Sequence, residues 1–222
     1  MRGERLLPEV DAVLFDLDGT LIDSADIICH CFNKALSNLG IQRESNEKVR
    51  KLIGRPLREM FASYANGVSV EALVAEYRSV FSREAPGQSS LLPGAAVTVQ
   101  SLSSARKLGI VTSRSGSGTL VLLKEFGLID HFSTVVGAEH VERFKPDPEP
   151  VMLALRQLGI GPSRAVLVGD TVQDVLAAHS AGAFAIGITT GADTSRELQE
   201  SGADFVIDSL TELLGIVDGD GP

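Results

Sequence analysis

Cysteine is nearly absent from this chain. Its two cysteines, Cys29 and Cys31, flank His30 in a segment that reads as helix. Positions i and i+2 of a helix do not share a face, and no second cysteine cluster exists, which argues against a zinc site. The two thiols read as packing residues, and their small number fits a reducing compartment. Positive charge is short as well: 20 Lys and Arg stand against 29 Asp and Glu, a net charge of −9. That balance argues against a nucleic-acid partner or an anionic membrane surface. No apolar run approaches membrane-spanning length. Only Leu6 and Leu7 precede Pro8, too few for the apolar region of a signal peptide. The expectation is a cytoplasmic protein with no nucleic-acid and no membrane partner, monomeric or a weak homodimer.

What the chain has is apolar mass, 44% of 222 residues, enough for one sizeable domain or a core with a smaller insert. The stretch that organises it is Phe15-Asp16-Leu17-Asp18-Gly19-Thr20. The apolar run Ala12 to Phe15 reads as a buried strand that ends in two carboxylates, with Gly19 and Thr20 as turn formers. Side chains alternate along a strand, so Asp16 and Asp18 point the same way. Two like charges at the mouth of a sheet are costly unless a cation sits between them, and Mg²⁺ is the first inference.

Residues 22–88 read as helical throughout, with no strand signal. Ser24 is the expected N-cap of a helix carrying Ile28, Phe32, Ala35, Leu36 and Leu39 on one face, and Gly40 closes it. Helices follow at about 47–53, 57–64 and 70–85. From Leu91 the pattern becomes alternating. Strands are expected at 107–111, 133–137, 165–168, 184–188 and 205–207, separated by helices. Asp147 and Pro148 look like an N-cap and first-turn pair. Val172, Val175, Leu176 and His179 are expected to share one face of a helix. Residues 218–222 are expected to fray. The fold class is α/β: a doubly wound (Rossmann-like) parallel sheet from 1–21 and 89–222, interrupted after its first strand by a small α-helical domain at 22–88.

In such sheets ligands bind outside the carboxyl ends of the strands. Four polar clusters fall there: Asp16 with Asp18, Thr112 with Ser113, Lys145, and Asp170 with Asp174. Each alone has an ordinary structural reading; their coincidence carries the argument. Asp16 and Asp170, with Asp174 nearby, can hold Mg²⁺ through carboxylate oxygens. The Thr112 hydroxyl and the Ser113 backbone suit phosphoryl oxygens, and Lys145 is a point cation for a phosphate or for crowded carboxylates. A carboxylate beside a metal can attack phosphorus, and a second one two residues on can move the protons.

These motifs resemble those of the haloacid dehalogenase superfamily of phosphotransferases. Asp16-Leu17-Asp18-Gly19-Thr20-Leu21 is similar to its first motif and Val111-Thr112-Ser113 to its second, where many relatives have Asn in place of Ser113. Lys145-Pro146-Asp147-Pro148 is similar to the third, and Gly169-Asp170-Thr171-Val172-Gln173-Asp174 to the fourth. The resemblance implies Asp16 as nucleophile, Asp18 as acid/base, Lys145 as the catalytic cation, and Mg²⁺ held by Asp16, the Asp18 carbonyl and Asp170. Asp174 would support the metal directly or through water. Gly19, Thr20, Thr112 and Ser113 fall at the substrate. A second carboxylate at Asp18 argues against dehalogenation.

The helical insert then corresponds to the family's cap. Of its cations Lys48, Arg50, Lys51, Arg55 and Arg58, Arg55 in the Gly54-Arg55-Pro56 turn is the one placed to meet an anionic substrate. The branch most resembled is that of phosphoglycolate phosphatases and pyrophosphatases. The resulting expectation is a Mg²⁺-dependent phosphatase of a small phosphorylated metabolite, with phosphoglycolate first and pyrophosphate next. Two other readings use the same residues: a β-phosphoglucomutase-like phosphomutase, and a receiver-like phosphorylation switch. A receiver's acceptor lies at a mid-chain strand, whereas Asp16 follows the first one.

Overall fold

The computed structural model describes residues 7 and 9–218. The N-terminal segment read for a signal peptide and most of the tail expected to fray lie outside them. In chain order the strands are β1 (Ala12–Phe15), β2 (Ile22–Asp23), β3 (Ser90–Leu91), β4 (Lys107–Val111), β5 (Thr134–Val136), β6 (Ala165–Gly169), β7 (Phe184–Ile188) and β8 (Phe205–Ile207). The helices are α1 (Ala25–Asn38), α2 (Asn46–Arg50), α3 (Leu57–Phe61), α4 (Val70–Glu84), α5 (Ala95–Ser103), α6 (Gly116–Glu125), α7 (Glu149–Leu158), α8 (Val172–Ala181), α9 (Ser195–Glu200) and α10 (Glu212–Asp218).

Six strands form one parallel sheet in the order β5-β4-β1-β6-β7-β8. β1 lies in the middle because all four of its residues are apolar and buried on both faces, as a central parallel strand requires. Val13 and Phe15 pack into one core layer with α5, α6 and α10, and Ala12 and Leu14 into the other with α7, α8 and α9. Phe15 is level with Ile110 of β4 and with Val168 of β6. The next residue, Asp16, therefore emerges where the strand order changes direction, the usual crevice of a doubly wound sheet.

The helices α1 to α4 form their own apolar cluster, in which Phe32 stacks on Phe61 at 4.3 Å between ring centroids. Cys29 and Cys31 are buried in it as free thiols, and burial pushes the Cys31 thiol up to about 11. The expectation of no strand in 22–88 is corrected. Ile22 and Asp23 pair antiparallel with Leu91 and Ser90, so the chain enters and leaves the bundle through a two-stranded ribbon. Two residues are too few to show a period in the sequence.

Three local expectations shift. Ser24 stands at the N-cap position of α1 but makes no capping bond, because its hydroxyl is committed elsewhere. Asp147 does not begin α7: Pro148 takes the cap position, and Asp147 Oδ1 accepts from the Glu149 amide at 2.9 Å. On α8 the inner face is Asp174, Val175, Ala177, Ala178 and Ala181, whereas Leu176 is 40% exposed and His179 is exposed. Small alanines let α8 approach the sheet closely, so the face is set by size rather than by the largest apolar residues.

Candidate active site

The carboxyl ends of β1 and β6, the start of α8 and the segment between β5 and α7 bring Asp16, Asp170, Asp174 and Lys145 into one buried cluster. Lys145 Nζ donates to Asp16 Oδ1 at 2.9 Å, to Asp174 Oδ1 at 2.5 Å and to the Val111 carbonyl at 3.1 Å. All three ammonium donors are thus used. Asp174 Oδ2 accepts from the Thr171 hydroxyl and amide at 2.6 and 3.1 Å, a capping box that starts α8 and fixes the carboxylate at once. Asp170 accepts from Thr20 Oγ1 at 3.1 Å and from the Ala192 amide at 2.8 Å. Gly19 makes this approach possible: at φ +84°, a Cβ there would come within 2.5 Å of Asp170 Oδ2.

Three carboxylates in this cluster face one lysine. Burial pushes the Asp16 carboxyl up to about 7; Lys145 pulls it back and Asp174 adds to the rise. Asp170 is raised well above the ordinary value by burial and by Asp16 and Asp174. Burial opposes the charge on Lys145, yet Asp16 and Asp174 outweigh it and raise its pKa. The cluster has more negative charge than its protein donors neutralise. Oxygens of Asp16, Asp170 and Asp174 all lie within 4.8 Å of one another, so the donor set fits a hard divalent cation. The Asp18 carbonyl, implied as a further ligand, accepts no hydrogen bond among the described residues and is free for that use.

Because β1 ends at Phe15, the expected strand alternation does not reach Asp18, which is not one of the three clustered carboxylates. Both of its oxygens are held by Arg114, from Nε at 3.1 Å and Nη2 at 2.5 Å, and Ser24 Oγ donates to it at 2.5 Å. Burial would raise its pKa, but Arg114 and then Ser24 outweigh burial and hold it below the usual range. The Arg114 guanidinium lies 4.9 Å from the centroid of Phe81 on α4. Arg114 has no counterpart in the sequence reading. An arginine after Thr-Ser looks like any surface arginine, and its partner is 96 positions away.

The other expected residues fall as follows. Thr112 is buried at the end of β4 and accepts from the Arg114 amide at 3.1 Å. The amides of Leu17, Asp18 and Ser113, at the ends of β1 and β4, have no acceptor among the described residues. The Ser113 hydroxyl donates to the Gly54 carbonyl of the bundle at 2.6 Å. Thr20 supports Asp170 instead of facing the crevice. A cavity of about 360 Å³ opens between bundle and sheet, walled by Asp23, Ser24, Glu47, Arg50, Lys51 and Asp170. Arg55 is not among its lining residues: it is exposed, and Asp193 of the β7–α9 loop feels its charge.

Residues 13–188 match the family model described as haloacid dehalogenase-like hydrolase. The chain belongs to that family. Pyrophosphatase PpaX of Bacillus velezensis is 34% identical over 211 residues, 93% of this chain and 96% of that protein. The phosphoglycolate phosphatase of Nitrosococcus oceani is 29% identical over 221 residues, 96% and 98% of the two chains. Among solved structures, a mutant of CbbY from Rhodobacter sphaeroides in complex with xylulose-(1,5)bisphosphate superposes with a TM-score of 0.81 at 27% identity, covering 93% of this chain and 99% of that one. As a haloacid dehalogenase-like hydrolase the protein is an enzyme, and the fold expected from its sequence is the fold it has. No helix among the described residues is long and apolar enough to cross a membrane.

Proposed function

We propose that this hydrolase is a Mg²⁺-dependent phosphatase of a small phosphorylated metabolite, working through an aspartyl-phosphate on Asp16. The observation that carries the reading is the buried Asp16–Asp170–Asp174 cluster with its single lysine. A Mg²⁺ ion held by these carboxylates would offset their surplus charge and polarise the phosphoryl group. Asp16 attacks phosphorus in line, the bond to the leaving oxygen breaks, and an alkoxide leaving group takes its proton from Asp18, which regains one from water in the second step. Water then attacks the same phosphorus and gives its proton to Asp18. The bond to Asp16 breaks, and phosphate leaves. Lys145 fixes the attacking carboxylate, and the free amides of Leu17, Asp18 and Ser113 receive the phosphoryl oxygens. The cap bundle closes the crevice against water, with Arg50 and Lys51 in the wall of the cavity.

Phosphoglycolate remains the leading substrate, in keeping with the named relatives. One observation favours pyrophosphate as the second reading. Arg114 keeps Asp18 ionised, and a phosphate leaving group needs no proton whereas an alkoxide does. A panel of small phosphates assayed with Mg²⁺ and scored by kcat/KM separates these readings. Asp16→Asn is the control. Turnover that survives in Asp16→Asn would overturn the aspartyl-phosphate route, and absence of hydrolysis across the panel would overturn the phosphatase reading.

A further inference from the structure

Resting on the aspartyl-phosphate reading above, the geometry points to Arg114 as a positioning residue for the second half-reaction: it aims Asp18 at the water that cleaves phospho-Asp16, and the Phe81 ring makes that aim depend on a closed cap.

The argument starts from the shape of the guanidinium. A planar fork that meets both oxygens of a carboxylate fixes its rotation as well as its place, which a lysine ammonium cannot do. Arg114 meets both oxygens of Asp18, and Ser24 adds a third donor. Asp18 is thus held in one orientation, with two donors on Oδ1 and one on Oδ2, so Oδ2 keeps a lone pair for a proton. The root of Arg114 is fixed by its own amide, which donates to Thr112 Oγ1 at 3.1 Å at the end of β4. Its head is fixed from the other side by the Phe81 ring on α4, and the side chain is only 12% exposed. A guanidinium over an aromatic face is favourable, and more so when water is excluded. The neighbouring Ser113 bonds to Gly54 of the same bundle. Two consecutive core residues therefore touch the cap at two places, and one of them carries the base. When the cap lifts, the ring leaves the guanidinium and Arg114 gains solvent and rotamers.

The balance of the step is simple. The water oxygen bonds phosphorus, its proton goes to Asp18, the phosphorus–oxygen bond to Asp16 breaks, and the Asp16 carboxylate and inorganic phosphate are released. Arg114 touches neither phosphorus nor water in this scheme. Its loss should slow this step and leave the first, which frees a good leaving group, nearly intact.

The test uses p-nitrophenyl phosphate with Mg²⁺, stopped-flow release of p-nitrophenol and acid-quench trapping of phosphoenzyme. Arg114→Ala should lower kcat by about 100-fold, the low end of what a positioned base contributes. KM should fall with it, so that kcat/KM changes by no more than about threefold. A burst approaching one p-nitrophenol per site and accumulated phospho-Asp16 should appear. Arg114→Lys keeps the charge without the fork and should still show the burst. Phe81→Leu, which keeps the cap's apolar packing, should show a smaller burst in the same direction. Loss of both half-reactions in parallel without phosphoenzyme, or full activity in Arg114→Lys, overturns the positioning role. No burst in Phe81→Leu overturns the link to closure. A wild-type protein that never forms phospho-Asp16 brings down the aspartyl-phosphate reading itself, a result these variants do not produce.

Discussion

Ser113 on the sheet donates a 2.6 Å hydrogen bond to the carbonyl of Gly54 on the cap. Gly54 has φ +92°, and a Cβ there would meet the Thr171 methyl at 3.1 Å. The two residues form a contact available only when cap and sheet are together. Ser113→Ala removes one hydrogen bond, about 1 kcal/mol. The closed form should become scarcer, and KM should rise by up to about fivefold while the melting temperature stays within a few degrees. Steady-state kinetics and a melt suffice; an unchanged KM would show that the bond does not govern closure.

Lys145 is the only protein cation in contact with the carboxylate cluster among the described residues. Removing one partner of a buried ion pair leaves uncompensated charge, at a cost of about 3–5 kcal/mol. Lys145→Met should abolish turnover and lower the denaturation midpoint accordingly, with Mg²⁺ restoring part of the loss. Equilibrium unfolding in urea with and without Mg²⁺ checks this, and a variant as stable as the parent in metal-free buffer contradicts it.

The Asp16 carboxyl, raised from 3.8 to about 7, gives a pH signature. A group whose pKa is raised by folding stabilises the fold fully below its unfolded value. That contribution is lost as pH rises through the folded value. The metal-free protein therefore forfeits it between about pH 4 and 7. A cation bound to the ionised cluster reverses the loss. The increase in melting temperature on adding Mg²⁺ should be larger near pH 8 than near pH 5. Asp16→Asn should shrink that difference. Equal increments at the two pH values would exclude the cluster as the binding site.

Gly191 packs so closely on Asp170 that any Cβ would overlap its carboxylate. Gly191→Ala should displace Asp170 while leaving Asp16 and Lys145 in place. Disturbing the support of a metal ligand typically costs 10–100-fold in metal affinity. The Mg²⁺ concentration for half-maximal activity should rise by about that factor, and activation at the parent concentration would refute the assignment of Asp170.

Much of this site was legible from Ala12 to Thr20, because a four-residue apolar run ending in carboxylates states both the strand and its end. Lys145 and Asp170 followed only from the coincidence of four polar clusters near strand ends, and Lys145 in fact lies in the segment between β5 and α7. The residues that escaped share one property: their partners are distant in sequence and their own types are unremarked. Arg114 reads as a surface arginine until Asp18 and Phe81 are seen around it. Ser24 reads as a cap because serine before a helix usually is one, and only the nearby Asp18 diverts its hydroxyl. Leu176 was expected to share a face with Val172 and Val175, yet α8 buries Val175 and its alanines and leaves Leu176 exposed. The ribbon of β2 and β3 was invisible because it is two residues long.

That ribbon has a consequence for descent. The bundle joins the sheet at a single neck, with its own apolar centre and both chain ends side by side. Such a module can be lengthened, trimmed or replaced by mutation without moving a single strand of the sheet. On the proposed function, the phosphoryl chemistry could stay fixed for long lineages while the choice of metabolite drifts, because bundle and sheet meet through side chains such as Ser113 and Arg114.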